Sequence, residues 1–293
     1  MDTASIVAPA KVNLTLDITG RRDDGYHFMR MIMQSVSLHN VITINCVPGG
    51  EDVSILCSSA EVCTDESNTA YKAAMAFFQF LHQPVPGLEI VIENNIPFMA
   101  GLGCASADAA AVLVGLNHIT GAGLSSQELC EIGVKVGADV PFCILGGTQL
   151  VEGIGEIFTP LPNLTECYIV IAKPDESVST AEAFARYDRI GVERRPDTDG
   201  MIGSIVAGDI PGVGEKLLNV FEELDLPASI GEIRRLMMEN DALGAAMSGS
   251  GSAVFGIFDL KGKAKRCVRT LEENGYTVHL TKPVHHGALI VEE

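Results

Sequence analysis

Basic residues are scarce. Lys and Arg number 20 against 38 Asp and Glu, a net charge of −18, and no basic run offsets the imbalance. Such a surface repels DNA, RNA and anionic membranes, which sets those partners aside. An anionic small molecule stays open, because a few backbone N–H groups and one lysine can make a pocket locally positive. The 8 cysteines form no CxxC pair and no Cys/His metal spacing. A chain this long and apolar needs no disulfide staples, so reduced and mostly buried thiols are expected. No apolar stretch reaches ~18 residues, so no membrane-spanning segment is expected. The run from Met1 to Lys11 has neither a basic start nor an apolar core, which predicts no signal peptide and a cytoplasmic location.

What is present is ample core material. Of 293 residues, 47% are hydrophobic and 20% charged, enough for two domains of about 100–200 residues each. The 30 glycines fall in local clusters and form no repeat, which points to tight backbone approaches at chosen places. Partial alternation predicts a strand over Ser5–Ile18. Two more are predicted over Met31–Leu38 and Val41–Val47, with His39-Asn40 as a hairpin turn, and Gly49-Gly50 closes this β-rich stretch. Helical spacing covers Thr69–His82 and Lys263–Asn274, and Ile230–Asn240 also reads as helical. Leu88–Glu93, Thr148–Glu152, Glu156–Leu161, Cys167–Ala172 and Ala253–Phe258 read as strands. Ser125 with Glu128 is a capping-box signal for a helix to about Gly137. Thr180–Tyr187 reads as a helix, and the charged stretch Gly191–Gly203 as a surface loop. Pro160 and Pro162 place a domain boundary near residue 160, giving expected domains 1–160 and 161–293. Strands mixed with helices and hairpins imply an α+β protein of two packed halves.

The most informative segment is Pro97-Phe98-Met99-Ala100-Gly101-Leu102-Gly103-Cys104-Ala105-Ser106-Ala107-Asp108, between a strand and an Ala-rich helix that Gly121 ends. Small residues let the backbone approach a phosphate, and the following helix adds unsatisfied N–H donors and a partial positive charge. Ser106 is expected to cap that helix or to touch a phosphate or its metal. The segment is neither GxxxxGK[ST] nor GxGxxG. Taken alone, it is equally a tight turn before a closely packed helix.

These residues resemble the second motif of the GHMP kinases. Ala8-Pro9-Ala10-Lys11-Val12-Asn13-Leu14 is similar to the family's N-terminal motif, and Ala246–Phe255, with Ser248-Gly249-Ser250-Gly251, to its C-terminal glycine-rich motif. The resemblance implies a two-domain α+β fold, with a ribosomal-protein-S5-like N-terminal half and a ferredoxin-like C-terminal half. It implies an ATP-dependent small-molecule kinase whose Mg²⁺ is held mainly by ATP and water. Within the family, Gly20–His27, Gly137–Phe142 and Gly153–Ile157 resemble the branch that phosphorylates a cytidine-diphosphate-linked methylerythritol in isoprenoid biosynthesis. Kinases for mevalonate or homoserine, and a nucleotide-binding homologue without catalysis, are the rival readings.

By the same resemblance, Asp139 is the catalytic carboxylate. Lys11 lies beside it, holding it ionised and stabilising charge on the transferring group. Asn13 helps hold the acceptor. Tyr26 supplies a ring to stack on the cytosine, His27 bonds its edge, and Phe184 is a second stacking aromatic. Pro97 and the run from Met99 through Ala107 bind the nucleotide, with Asn68 near the adenine. The chain is expected as a monomer or homodimer. Cys104 and Ala105 stand where the family usually has glycine, and Ala107 where it has a second serine. A β-carbon at 104 or 105 crowds the phosphate if the backbone there needs φ > 0. The hydroxyl missing at Ala107 predicts a lost contact worth ~0.5–1.5 kcal/mol.

Overall fold

The computed structural model describes residues 3–164 and 166–291. The first half runs β1 (Thr3–Arg21), β2 (His27–Val47), β3 (Val53–Cys57), α1 (Thr69–Phe80), β4 (Gly87–Glu93), α2 (Cys104–Thr120), α3 (Ser126–Val136), α4 (Val140–Leu145), β5 (Thr148–Gly153) and β6 (Ile157–Leu161). The second half runs β7 (Tyr168–Lys173), α5 (Thr180–Ile190), α6 (Thr198–Ala207), α7 (Ile210–Glu215), β8 (Leu218–Asn219), α8 (Ala228–Glu239), β9 (Gly244–Met247), β10 (Val254–Phe258), α9 (Lys261–Glu273), β11 (Thr277–Thr281) and β12 (Leu289–Ile290). Among the described residues no helix is long and apolar enough to cross a membrane.

Two long strands organise the first half. In β1 the even-numbered residues from Ile6 to Ile18 are apolar and buried, as a pleat with one face on a core requires. The odd face carries Lys11, Asn13 and Thr15, also buried, because the second half packs against it and β8 pairs parallel with Thr15-Leu16. β2 pairs with β1 over nearly its whole length but changes its other neighbour midway. Met29–Gln34 pair with β5 and Val41–Val47 with β4. The expected hairpin at His39-Asn40 is therefore absent. A turn of that kind needs positive φ, which neither residue adopts. The strand continues instead through a bulge, with Ala10 opposite Val36 and Pro9 opposite His39, and the bulge bends it toward its second partner. Nor do Gly49-Gly50 end the β-rich stretch, since β3 follows and pairs parallel with β4.

The sheet of the second half has the order β11-β7-β10-β9, with every pairing antiparallel. This is the ferredoxin-like arrangement the resemblance implied. The expected loop over Gly191–Gly203 is partly helical. Asp197 accepts a bond from Gly200 N and starts α6, and Met201 and Ile205, one turn apart, are buried. Burying that pair offsets the weak helix propensity of the glycines there. The Ser125–Glu128 capping box forms as expected. Of the eight cysteines, Cys104, Cys143, Cys167 and Cys267 are buried, Cys46, Cys57 and Cys130 half-buried and Cys63 exposed.

Candidate active site

The pleat of β1 decides the first feature. Lys11 and Asn13, two residues apart, emerge on the same face, and the Lys11 ammonium donates to Asn13 Oδ1 at 2.8 Å. Asn13 Oδ1 also accepts from Gly249 N at 3.0 Å, which ties the strand to the turn between β9 and β10. Asp139 arrives from the N-terminus of α4. It stands at the capping position but makes no side-chain capping bond. Its Oδ2 lies instead 3.3 Å from Lys11 Nζ. Lys11 is 4% exposed, and burying an ammonium this deeply is tolerated only because two oxygens face it.

Main chain from three separate motifs closes around this pair. Lys11 N donates to Leu102 O at 3.0 Å, and Ala253 N to Ala100 O at 3.1 Å. Ser248 Oγ donates to Gly101 O at 2.9 Å. Gly101 has φ +73, and an added β-carbon would overlap the Ser248 carbonyl oxygen. Gly103, at φ +75, is the residue before α2, and its added β-carbon would lie 3.0 Å from Lys11 Cγ. Both positions need glycine for backbone conformation and for space.

Gly103 offers no side chain to cap α2, whereas Asn68, Ser125 and Ser179 cap α1, α3 and α5. The first N–H groups of α2 are thus left for an anion. Gly101, Gly103, Ser106, Asp139, Lys11 and Asn13 all line one cavity of about 310 Å³. Ser106 falls in the first helical turn rather than at the cap. Its neighbours resolve the departures from the family pattern. Cys104 and Ala105 lie inside the helix at negative φ, so their β-carbons meet no backbone strain. Ala107 is fully buried in the core, where a hydroxyl would face packed side chains instead of the cavity.

A second cavity, about 720 Å³, adjoins the first. The two share Met29, Ala138, Ile154, Gly155 and Phe184, and Tyr26 and His27 line the second alone. Tyr26 is 62% exposed. His27 stacks on Phe184, with ring centroids 4.7 Å apart at 21°, so an imidazole covers the aromatic face expected to meet the base. Asn68 lines neither cavity. Its Oδ1 accepts from Ala70 N at 2.7 Å and its Nδ2 donates to Cys63 O at 2.5 Å, so both polar atoms serve the start of α1. Ala100 and Leu102 act through their carbonyl groups and are otherwise buried. Pro97 borders a separate cleft beside Asn95 and Lys173, and Met99, at φ +50, is exposed.

Several site residues escaped the sequence reading. Thr180 Oγ1 and Ser250 Oγ meet at 2.8 Å, joining α5 to the β9–β10 turn. Asp188 holds His27 through a 2.6 Å contact, and its place four residues after Phe184 puts both on one helix face. Behind the loop, Asn40 Oδ1 accepts from Asn95 N at 2.7 Å and Ile96 N at 2.9 Å. Asn40 Nδ2 donates to Asp108 Oδ1 at 2.7 Å. One buried amide thus pins the entry of the loop to the helix that leaves it. Burial pushes the Asp108 carboxyl up to about 7. Burial likewise pushes the Cys104 thiol above its ordinary range, with the Asp108 charge adding to the effect.

The chain is similar to known proteins over most of its length. Residues 68–147 match the GHMP kinases N terminal domain and residues 201–277 match GHMP kinases C terminal. The chain is 41% identical over 285 residues to a 4-diphosphocytidyl-2-C-methyl-D-erythritol kinase of Alkaliphilus metalliredigens, covering 96% of this chain and 97% of that one. It is 46% identical to the enzyme of that name from Alkaliphilus oremlandii, covering 87% and 88%. A crystal structure of 4-(cytidine 5'-diphospho)-2C-methyl-D-erythritol kinase superposes with a TM-score of 0.77 at 28% identity, covering 98% and 97%. A homoserine kinase from Cytophaga hutchinsonii superposes at 0.80 with 18% identity, covering 99% and 98%. Two enzymes with different acceptors fit the backbone about equally, so the backbone alone does not choose a substrate.

Proposed function

The chain belongs to the GHMP kinase family, and on that premise we propose that it moves the γ-phosphoryl group of ATP to the 2-hydroxyl of 4-diphosphocytidyl-2-C-methyl-D-erythritol. One observation carries the reading: the cavity holding the Lys11–Asp139 pair opens into one walled by Tyr26, His27 and Phe184. A substrate with a polyol at one end and a pyrimidine at the other fits that pair of rooms. Homoserine and mevalonate would leave the second room unused.

The chemistry follows from the groups present. The acceptor hydroxyl attacks the γ-phosphorus while the bond to the β–γ bridging oxygen breaks, and Asp139 takes the hydroxyl proton. Phosphoryl transfer has a loose transition state, so alignment and positive charge matter more than nucleophile strength. Lys11 supplies the charge, and the uncapped N-terminus of α2 adds N–H donors to the phosphates. Asn13 orients Lys11 and lies within reach of the acceptor. Tyr26 offers an exposed ring for stacking and His27 reads the base edge. Asp139 is the one carboxylate lining the first cavity, with the Ser106, Thr180 and Ser250 hydroxyls and the Asn13 amide as its other side-chain oxygens, a sparse set that would suit a Mg²⁺ ion held largely by phosphate oxygens and water. When bound, that ion neutralises phosphate charge.

The test is ADP release from the native chain and from Asp139→Ala with the cytidine compound, homoserine and mevalonate. The expected result is turnover of the cytidine compound alone. The variant should fold and bind ATP, lose about 10²–10⁴-fold in kcat, and melt somewhat lower, because one of the two oxygens facing the buried Lys11 ammonium is gone. Turnover of homoserine or mevalonate in place of the cytidine compound, or full activity in the variant, overturns the proposal.

A further inference from the structure

We propose that Asp188, on α5, is a specificity-determining residue: it fixes which nitrogen of His27 carries hydrogen and so makes the site accept an amino-bearing pyrimidine over its carbonyl counterpart. The inference rests on the reading of the second cavity as the pyrimidine site.

His27 is held on three sides. Its Nε2 lies 2.6 Å from Asp188 Oδ1, its face stacks on Phe184, and Tyr187 meets it edge-on with centroids 6.3 Å apart at 88°. Its side chain is 10% exposed, so the ring has little room to turn. Asp188 is itself anchored, with its Oδ2 3.1 Å from Arg21 NH1. That guanidinium comes from the last residue of β1, just before the connection that carries Tyr26. A carboxylate is an acceptor only, so the short contact requires the hydrogen on Nε2. In the neutral ring, Nδ1 is then left with a bare lone pair.

Among the described residues nothing uses that lone pair: no hydrogen bond reaches Nδ1, and it is not among the sealed polar atoms that lack partners. It therefore keeps contact with solvent in a ring that lines the second cavity. An acceptor in this position favours a donor on the ligand. Cytosine presents an amino group at its C4 edge, where the keto pyrimidines present a carbonyl oxygen. The carbonyl would meet the lone pair head-on, leaving both acceptors unpaired in a half-enclosed site, and such mismatches are rejected strongly. Asp188 does not touch the ligand in this scheme. It acts through His27.

The experiment compares kcat/KM for the cytidine substrate and for its uridine analogue in the native chain, Asp188→Asn and Asp188→Glu. An asparagine can accept from Nε2–H or, with its amide turned, donate to Nε2, so it no longer fixes the hydrogen. The native chain should prefer the cytidine compound by about ten- to a hundredfold. Asp188→Asn should shrink the preference to a few-fold, with KM for ATP unchanged, and Asp188→Glu should restore most of it. ¹⁵N NMR of the histidine ring reads the cause directly: hydrogen on Nε2 in the native chain, and a mixture of tautomers in Asp188→Asn. A purely structural role would depress both substrates equally and leave their ratio alone. Full preference retained in Asp188→Asn, or a native ring with hydrogen on Nδ1, overturns the role of Asp188 while the functional reading stands. A native chain that turns over neither pyrimidine compound overturns that reading, and this inference with it.

Discussion

The two ends of the joined cavity are built differently. At the phosphate end, main-chain atoms do most of the shaping. Leu102 O, Ala100 O and Gly101 O are each held by another motif, and the single ammonium is buried between two side-chain oxygens. At the pyrimidine end, side chains do the shaping: an exposed Tyr26, a His27–Phe184 stack, a short Asp188–His27 hydrogen bond, and an Asp188–Arg21 ion pair at the surface. Backbone geometry tolerates almost no substitution, because a misplaced carbonyl cannot be repaired by another residue. A wall of side chains tolerates replacement, because neighbours adjust and exposed ion pairs contribute little, about 0–1 kcal/mol each. The phosphate end should therefore break all at once and the pyrimidine end by degrees.

Gly101→Ala is the severest test of that contrast. Its β-carbon would overlap the Ser248 carbonyl oxygen at a positive φ, so the loop must leave its seat on the β9–β10 turn. The expectation is loss of ATP binding by calorimetry, together with about 2–4 kcal/mol of stability from strain and overpacking. A variant that binds ATP normally would show the loop to be adaptable and erase the distinction.

Asp108→Asn probes the buried support of the same loop. The Asp108 carboxyl is pushed from 3.8 up to about 7 by burial, although the Asn40 hydrogen bond works in the opposite direction. Between those values the folded chain holds a proton that the unfolded chain releases, so stability falls as pH rises through the window. Above the folded value the burial cost is present in full, of the order of a few kcal/mol. Urea midpoints should thus decline from pH 5 to pH 8 more in the native chain than in Asp108→Asn. Parallel profiles would mean that water or neighbouring dipoles solvate the charge.

Phe184→Ala sharpens the other side. Removing the ring under His27 should raise KM for the cytidine substrate about tenfold, the scale of one lost stacking contact, while KM for ATP and the melting temperature change little. An equal loss of ATP affinity would show the two ends to be one mechanical unit.

The residues that recur near the phosphate were legible because their chemistry is local. Small residues between a strand and a helix, a lysine within an apolar strand and a capping box each carry their reason within a few positions. The pyrimidine end was only half legible. Tyr26 and His27 stand together in sequence, but Asp188 gains meaning only when α5 lies across β2. The expected role of Asn68 shows the same limit, since it spends both polar atoms on the start of α1. Ser106 lines the first cavity from the first turn of α2 and does not cap that helix. Asn40 reads from its neighbours as a turn residue. Its side chain is instead the buried link between both ends of the phosphate loop.

Amino-acid order by itself determined the alternation that puts Lys11 and Asn13 on one face of β1, the glycines that permit positive φ, and the caps that start most of the helices, since each depends on residues within a turn or a pleat of one another. The tertiary structure alone decided that β2 runs on through His39-Asn40, that Lys11 meets Asp139 from 128 positions away, and that Asp188 fixes the His27 ring. Those outcomes depend on which surfaces pack together, and packing is settled by the whole core rather than by any one segment of chain.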